Sequence, residues 1–461
     1  MKYGEWIFAA AVTAILALGL GLDVLLESRP VREAELQAPD HLASGSYCPV
    51  PSGDISATMT TANFGDAPLG LRRSAVGAVE PDAEQIALEP QRLSSVNVGE
   101  LTPQDSTGVV DVFGGRAHTS LTVLSQGMGI ASALCTDQPS ARWLFATGST
   151  LRDDDHYLLV SNPFREEALV SVRIMGSDQD VNLPLISEEV VRARSQRIFY
   201  LSESLEEVPS FGMELVASRG RVVVSRYSSV NVPGTKGISL NVGTGSPATQ
   251  WYFPNGRVPT EGEESLVIVN PTSREALLSV LFLTEGERVA PPDLAEVVVP
   301  AGRQVTINTS EHLSRGDSHG VSLVSLNEVP VVAERQIRGV VGSIRGFESA
   351  FGLSELANQW VLPVGTPEGG TATLAIVNPG QSAAEVDIRL VTAEGEVAPQ
   401  ELVGVEVAAG RKVSLDLTGY LGGGPATAEV EAAGAEVAVD STTGLEGSYG
   451  DFSTTPGFRV R

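Results

Sequence analysis

Five histidines, a run of three aspartates and two cysteines are the residues of this 461-residue chain whose types best suit chemistry. A zinc hydrolase needs two histidines one helical turn apart with a glutamate beside the first. His41, His118, His156, His312 and His319 contain no HExxH and no ligand spacing on a helix. His312 and His319 fall in a stretch rich in Ser, Gly and Asp, which reads as an exposed loop rather than a metal site. Asp153, Asp154 and Asp155 offer oxygen to Ca²⁺, but they lack the spacing of an EF-hand and read as solvated charge. No GxSxG elbow is present, and Gly422, Gly423 and Gly424 neither follow a strand nor open a helix as a phosphate loop must. Arg226 and Arg335 lie 335 − 226 = 109 apart, with Asp440 near the corresponding place further on, and read as strand-edge arginines covering apolar surface. The expectation is a non-enzymatic protein, with no catalytic, cofactor-binding or metal-ligating residue and no cofactor.

The cysteines, Cys48 and Cys135, are too far apart for a CxxC redox or zinc motif. On an exported chain an isolated pair reads as a disulfide, with two buried free thiols as the alternative. Closing a loop of 135 − 48 = 87 residues is worth roughly 4 to 5 kcal/mol by chain entropy.

The elements that would position these residues form a repeat. Tryptophans stand at Trp143, Trp251 and Trp360, each opening a short apolar strand that a glycine ends: WLFATG, WYFPNG and WVLPVG. Asn-Pro pairs follow at Asn162-Pro163, Asn270-Pro271 and Asn378-Pro379, each asparagine 108 residues after the last. A fixed period of domain length means copies in tandem. Asn-Pro after a β-branched run is turn chemistry, because the Asn side chain bonds nearby backbone and Pro fixes φ. The next strand alternates, Val170, Val172 and Ile174 with Ser171 and Arg173, so one face is buried. Seven or so short strands per period give an all-β fold of tandem immunoglobulin-like sandwiches, with a jelly-roll as the structural rival. Each tryptophan reads as a core plug rather than a sugar-stacking platform. Residues 48–139 read as a diverged first unit, without the Trp or the Asn-Pro turn, whose cysteine pair replaces lost packing.

Ahead of the repeats, Trp6 to Leu26 is apolar apart from Asp23, long enough to span a bilayer. A retained signal-anchor competes with a cleaved export signal; the length of the run and the lack of an Ala-x-Ala site favour the anchor. The division read from sequence is 1–5 cytoplasmic N-terminus, 6–26 transmembrane signal-anchor, 27–46 tether, 47–141 diverged domain, and repeats at 142–249, 250–358 and 359–461.

The chain carries a net charge of −26, spread along its length, which repels nucleic acid and anionic headgroups. With its anchor, its Trp-opened units and the Asn-Pro hairpin, the chain resembles a family of uncharacterised exported proteins of actinobacteria that carry a domain of unknown function. The likeness covers most of residues 45–461. It implies an envelope or secreted location and an all-β repeat fold, and it brings no catalytic residues.

The expected function is a membrane-anchored extracytoplasmic protein of the bacterial cell envelope, single-pass at the plasma membrane, acting as spacer and interaction surface. It would be secreted if the signal is cleaved. Its partners would be the membrane, through the N-terminal helix, and an envelope protein or polysaccharide. A module binding cell-wall carbohydrate or peptidoglycan is the alternative, and an envelope hydrolase with its site between domains the third.

Overall fold

The computed structural model describes residues 45–77, 85–101, 106–115, 117–177, 184–447 and 450–460. The stretches read from sequence as a cytoplasmic N-terminus (1–5), a signal-anchor (6–26) and most of the tether (27–44) lie outside the described residues. Among the described residues no helix is long and apolar enough to cross a membrane. The tether is shorter than the sequence suggested, because Gly45 and Ser46 already belong to a strand, Gly45–Pro49.

Antiparallel strands dominate. They form eight sheets, two in each of four successive stretches of chain, 45–134, 142–242, 250–351 and 359–459. With principal strands numbered within a stretch, one sheet has the order 1-6-3-4 and the other 5-2-7-8 in all four. The first stretch thus shares the architecture of the others despite its divergent sequence. Alternation explains the burial: in Ala168–Met175 every second side chain is buried, and Ala276–Leu283 and Ala384–Thr392 repeat the pattern.

The repeated residues hold equivalent places. Trp143, Trp251 and Trp360 are at most 3 % exposed. Each indole N–H donates to an equivalent backbone carbonyl, of Val222 (2.9 Å), Val331 (2.9 Å) and Val437 (3.0 Å), and those of Trp143 and Trp360 also reach Ser140 O (3.3 Å) and Ala357 O (3.2 Å). Asn162, Asn270 and Asn378 each donate from Nδ2 to two carbonyls, one four residues on and one 29 residues on. Each Oδ1 accepts the amide two residues ahead. The asparagine therefore pins the turn to a distant strand, so its burial leaves no polar atom stranded. Asn63 does the same in the first domain, followed by Phe64 instead of proline.

Cys48 and Cys135 form a disulfide with a Cα–Cα distance of 4.8 Å. By strand register these positions correspond to Phe145 and Gly243 in the second domain and to Phe253 and Gly352 in the third. There a Cβ on the glycine would meet the phenylalanine ring at 2.7 and 2.8 Å. The first domain replaces that ring-on-glycine contact with a covalent bond.

The four domains close on one another. The eighth strands, Gly129–Leu134, Thr235–Val242, Ile344–Phe351 and Asp451–Pro456, pack each against the next, and the fourth packs against the first. Matching bonds appear at separate junctions. Ser239 Oγ accepts from Ser349 N (3.2 Å) and donates to Ser349 O (2.9 Å). Ser453 Oγ accepts from Ser132 N (2.9 Å), and Thr455 Oγ1 donates to Ser132 O (3.2 Å). The fourth domain thus meets the first as the second meets the third. The arrangement is a closed ring of quasi-fourfold symmetry.

Candidate functional site at the domain junctions

Each junction sets the end of one domain's first strand against the second, seventh and eighth strands of the next. Register makes four receiving positions equivalent. They are Thr58, Ser120, Thr122 and Ser132 in the first domain, and Tyr157, Ser225, Tyr227 and Leu240 in the second. They are Ser265, Glu334, Gln336 and Ser349 in the third, and Thr373, Asp440, Thr442 and Thr454 in the fourth. One scaffold therefore carries four different chemistries.

The first–second junction is mainly apolar, with Gln196 bonded across it to Thr107 Oγ1 (2.7 Å) and Val50 O (2.8 Å). Tyr157 stacks on Tyr200 with centroids 4.8 Å apart and lies 6.1 Å from Tyr227. Tyr227, Ile238 and Leu240 join the first domain's core with Cys48 and Val50.

At the second–third junction Arg226 and Glu334 are both fully buried and paired, Nη2 to Oε2 at 2.7 Å and Nη1 to Oε1 at 3.1 Å. Glu334 also accepts from Ala146 N (2.7 Å), Thr147 Oγ1 (2.6 Å) and Ser349 Oγ (2.9 Å). Arg226 Nη1 donates to Thr147 O at 2.6 Å. Nearby, Asp154 is buried and pairs with Arg338 of the next domain at 2.9 Å.

The third–fourth junction buries six ionisable groups. Arg335 donates to Glu348 (2.5 Å), to Thr454 Oγ1 of the next domain (3.1 Å) and to Asn255 O. Glu264 Oε2 lies 3.2 Å from His319 Nε2 and accepts from Thr309 Oγ1 at 2.7 Å. Burial lowers the His319 pKa, against the pull of Glu264. Lys412 Nζ donates to Asn255 Oδ1 (3.2 Å) and His319 O (3.1 Å). Burial pushes Lys412 down to about 7 and Asp440 up to about 7. Asp440 Oδ2 accepts from Asn255 N at 3.1 Å. A cleft of about 270 Å³ beside this cluster is lined by Asn255, Arg257, Glu348, Thr373, Thr442 and Thr454 among others.

Among the described residues the fourth–first junction has no counterpart of these ion pairs. Ser441 stands where Arg226 and Arg335 do, and Ser120 where Glu334 and Asp440 do. A cleft of about 530 Å³ opens there. Thr58, Thr60, Ser120, Thr122 and Ser132 line one side, and the backbone of Gly422–Gly424 with Thr366 and Glu368 lines the other.

Several expectations from sequence change. Arg226 and Arg335 are not edge residues over apolar surface; they are buried junction ions. Asp154 is not solvated, and His319 lies on a strand, fully buried, rather than in an exposed loop. Asp155, by contrast, accepts from Tyr200 Oη at 2.7 Å within its own domain. The tryptophans and Asn-Pro pairs are not brought together into any site. Among the described residues no group of three or more His, Cys, Asp and Glu is arranged to hold a metal ion. A spacing signal for the junction existed: Arg226 and Arg335 hold equivalent positions of successive domains.

A closed ring of four β-sandwich domains, joined by buried ions and hydroxyls, is the class of protein that the fold and junctions define. Residues 114–343 and 331–443 match the Family of unknown function (DUF5719), and the chain belongs to that family. No curated protein matches the chain. Among solved structures, the Thermotoga maritima protein 1070 is 22 % identical over 24 % of this chain and 97 % of its own, with a TM-score of 0.21. The Anabaena sensory rhodopsin transducer is 19 % identical over 20 % of this chain and 96 % of its own, with a TM-score of 0.17. A Streptomyces avermitilis α-L-rhamnosidase in complex with L-rhamnose is 9 % identical over 82 % of this chain and 54 % of its own, with a TM-score of 0.12.

Proposed function

We propose that this is a non-enzymatic, membrane-anchored extracytoplasmic protein of the bacterial cell envelope, of actinobacterial type. In this reading four immunoglobulin-like sandwiches form one closed ring that serves as an interaction surface. The observation that carries it is how the buried ions are used. Arg226 with Glu334, and Asp154 with Arg338, each join one domain to the next. Chemistry on a substrate would instead need such groups facing an open cleft. The apolar run at 6–26 and the disulfide, a bond that persists in oxidising compartments, support export. The spacer part of the role is then one ring deep, not four domains long.

The test has two arms. Small-angle scattering of residues 45–461 should give the compact ring; an extended particle rejects the platform. A phosphatase reporter fused after Arg461 should be active outside the membrane, and activity confined to a cytoplasmic reporter rejects the location.

The fourth–first cleft favours a second reading, recognition of cell-wall carbohydrate or peptidoglycan. Its lining of hydroxyls and glycine backbone suits neutral polyhydroxylated ligands, and about 530 Å³ is within the range of ligand pockets. Retention on isolated cell walls, abolished by Thr122→Tyr, is the expected result. Equal retention of both proteins, or of neither, removes this reading.

A further inference from the structure

The centre of the ring holds an unusual acid. Register makes Gly129, Gly237, Gly346 and Asp451 equivalent positions of the four eighth strands. Three domains have no side chain there. The fourth places a carboxylate, fully buried, among all four strands. Asp451 Oδ2 accepts the amides of Ile238 (2.9 Å) and Ile130 (3.2 Å), and Oδ1 accepts that of Phe347 (3.0 Å). The amide of Phe452 adds a fourth donor. These donors are the same position of each domain, the residue after the Gly or Asp. Space is reserved for the carboxylate: a Cβ at Gly129 would lie 2.0 Å from Oδ2, and Cβ atoms at Gly237 and Gly346 would lie 2.6 and 2.4 Å from Oδ1.

Converging backbone amides bind anions wherever they occur, because each N–H is a fixed positive pole that costs nothing to orient. Burial raises the Asp451 carboxyl well above the ordinary carboxylate range, against the pull of the amides. The geometry decides between them. The partners located around both oxygens are N–H donors, with no acceptor for a carboxyl proton among them, so the charged form is the one this geometry fits.

We propose that the ring axis is an anion-binding site assembled from one amide per domain, suited to a small carboxylate, and that the fourth domain fills it with the chain's own Asp451. The asymmetry is then functional: three glycines build the receptacle and one aspartate occupies it, so that ligand binding and ring closure are a single event.

The experiment removes the tethered anion and supplies a free one. Asp451→Gly makes the four positions alike, and sodium formate is the probe, with sodium chloride at matched ionic strength as control. Above its dissociation constant, each tenfold increase in formate should raise the folded-to-unfolded ratio of Asp451→Gly about tenfold over the chloride control, with no such response in the unsubstituted protein. If Asp451→Gly does not fold unaided, refolding yield is read against formate instead. Recovery supports the site, and no recovery overturns it. Equal formate responses in both proteins also overturn it. Asp451→Asn separates charge from shape: its Nδ2 would face an amide donor, so the folded ratio should fall by about tenfold or more. An Asp451→Asn protein as stable as the original would mean the acid is held protonated, and would sink the anion assignment.

Discussion

Truncating Arg226 to methionine tests whether buried ions hold the ring. The change keeps most of the aliphatic stem and removes the guanidinium. Glu334 then loses contacts of 2.7 and 3.1 Å, but keeps Ala146 N, Thr147 Oγ1 and Ser349 Oγ. Removing one partner of a buried pair costs about 3 to 5 kcal/mol, since the other charge stays desolvated. The Thr147 carbonyl loses its 2.6 Å donor as well, adding roughly 1 kcal/mol. The three surviving donors keep the total near the lower end, about 4 kcal/mol. Glu334→Leu alone should cost a similar amount, because it strands the guanidinium. The double variant, Arg226→Met with Glu334→Leu, buries no charge and leaves only neutral groups of Ala146 and Thr147 unmet, so it should be more stable than either single variant. Equilibrium urea unfolding of the three proteins reads this directly. An Arg226→Met protein within about 1 kcal/mol of the original, or a double variant weaker than both singles, refutes the reasoning.

Other predictions concern separate parts of the ring. Burial raises Asp440 from 3.8 to about 7, so its contribution is present below the unfolded value and is lost as pH rises to about 7. Burial lowers Lys412 from 10.5 to about 7, so its contribution is present above the unfolded value and is lost as pH falls to about 7. The stability of the original protein relative to Lys412→Met/Asp440→Leu should therefore pass through a minimum near neutrality; a difference that is flat with pH counts against the pair. Asn270→Ala leaves the buried Val299 carbonyl without its 2.9 Å donor and should cost about 1 to 3 kcal/mol in urea, while Pro271→Ala should cost far less. Cys48→Ala with Cys135→Ala should lose roughly 4 to 5 kcal/mol under non-reducing conditions, and dithiothreitol should erase the difference.

The repeat was readable because its signals are local. Alternating Val170, Val172 and Ile174 declares a half-buried strand without reference to any partner. Trp143, Trp251 and Trp360 each plug a core of their own domain, so their spacing carries the period. The first domain's kinship was harder to read, since Ser46 stands at the tryptophan position and Asn63 precedes Phe64, leaving only the asparagine's bonding in common. The junctions were not legible in the same way. An arginine on an alternating strand looks identical whether its face meets water or another domain, and only contact between copies tells them apart. Asp154, which meets Arg338 of the next domain, is such a case. The axis is a further case: Gly129, Gly237 and Gly346 look like ordinary strand glycines until the fourth copy is seen to hold Asp451.

Three of the ring's joins are bridged by polypeptide, and the one between the last and the first domain is not. A neighbour tethered by a few residues re-docks at high effective concentration, so a linked join that slips is quickly remade. The unlinked join has only its own contacts, a cleft of about 530 Å³ opens in it, and among the described residues no ion pair crosses it. The molecule therefore has a built-in place to hinge apart. A permuted chain that begins at Ala248, with a flexible linker from Val460 to Gly45, would transfer that weakness to the Arg226–Glu334 join and leave the hydroxyl-lined cleft permanently clasped.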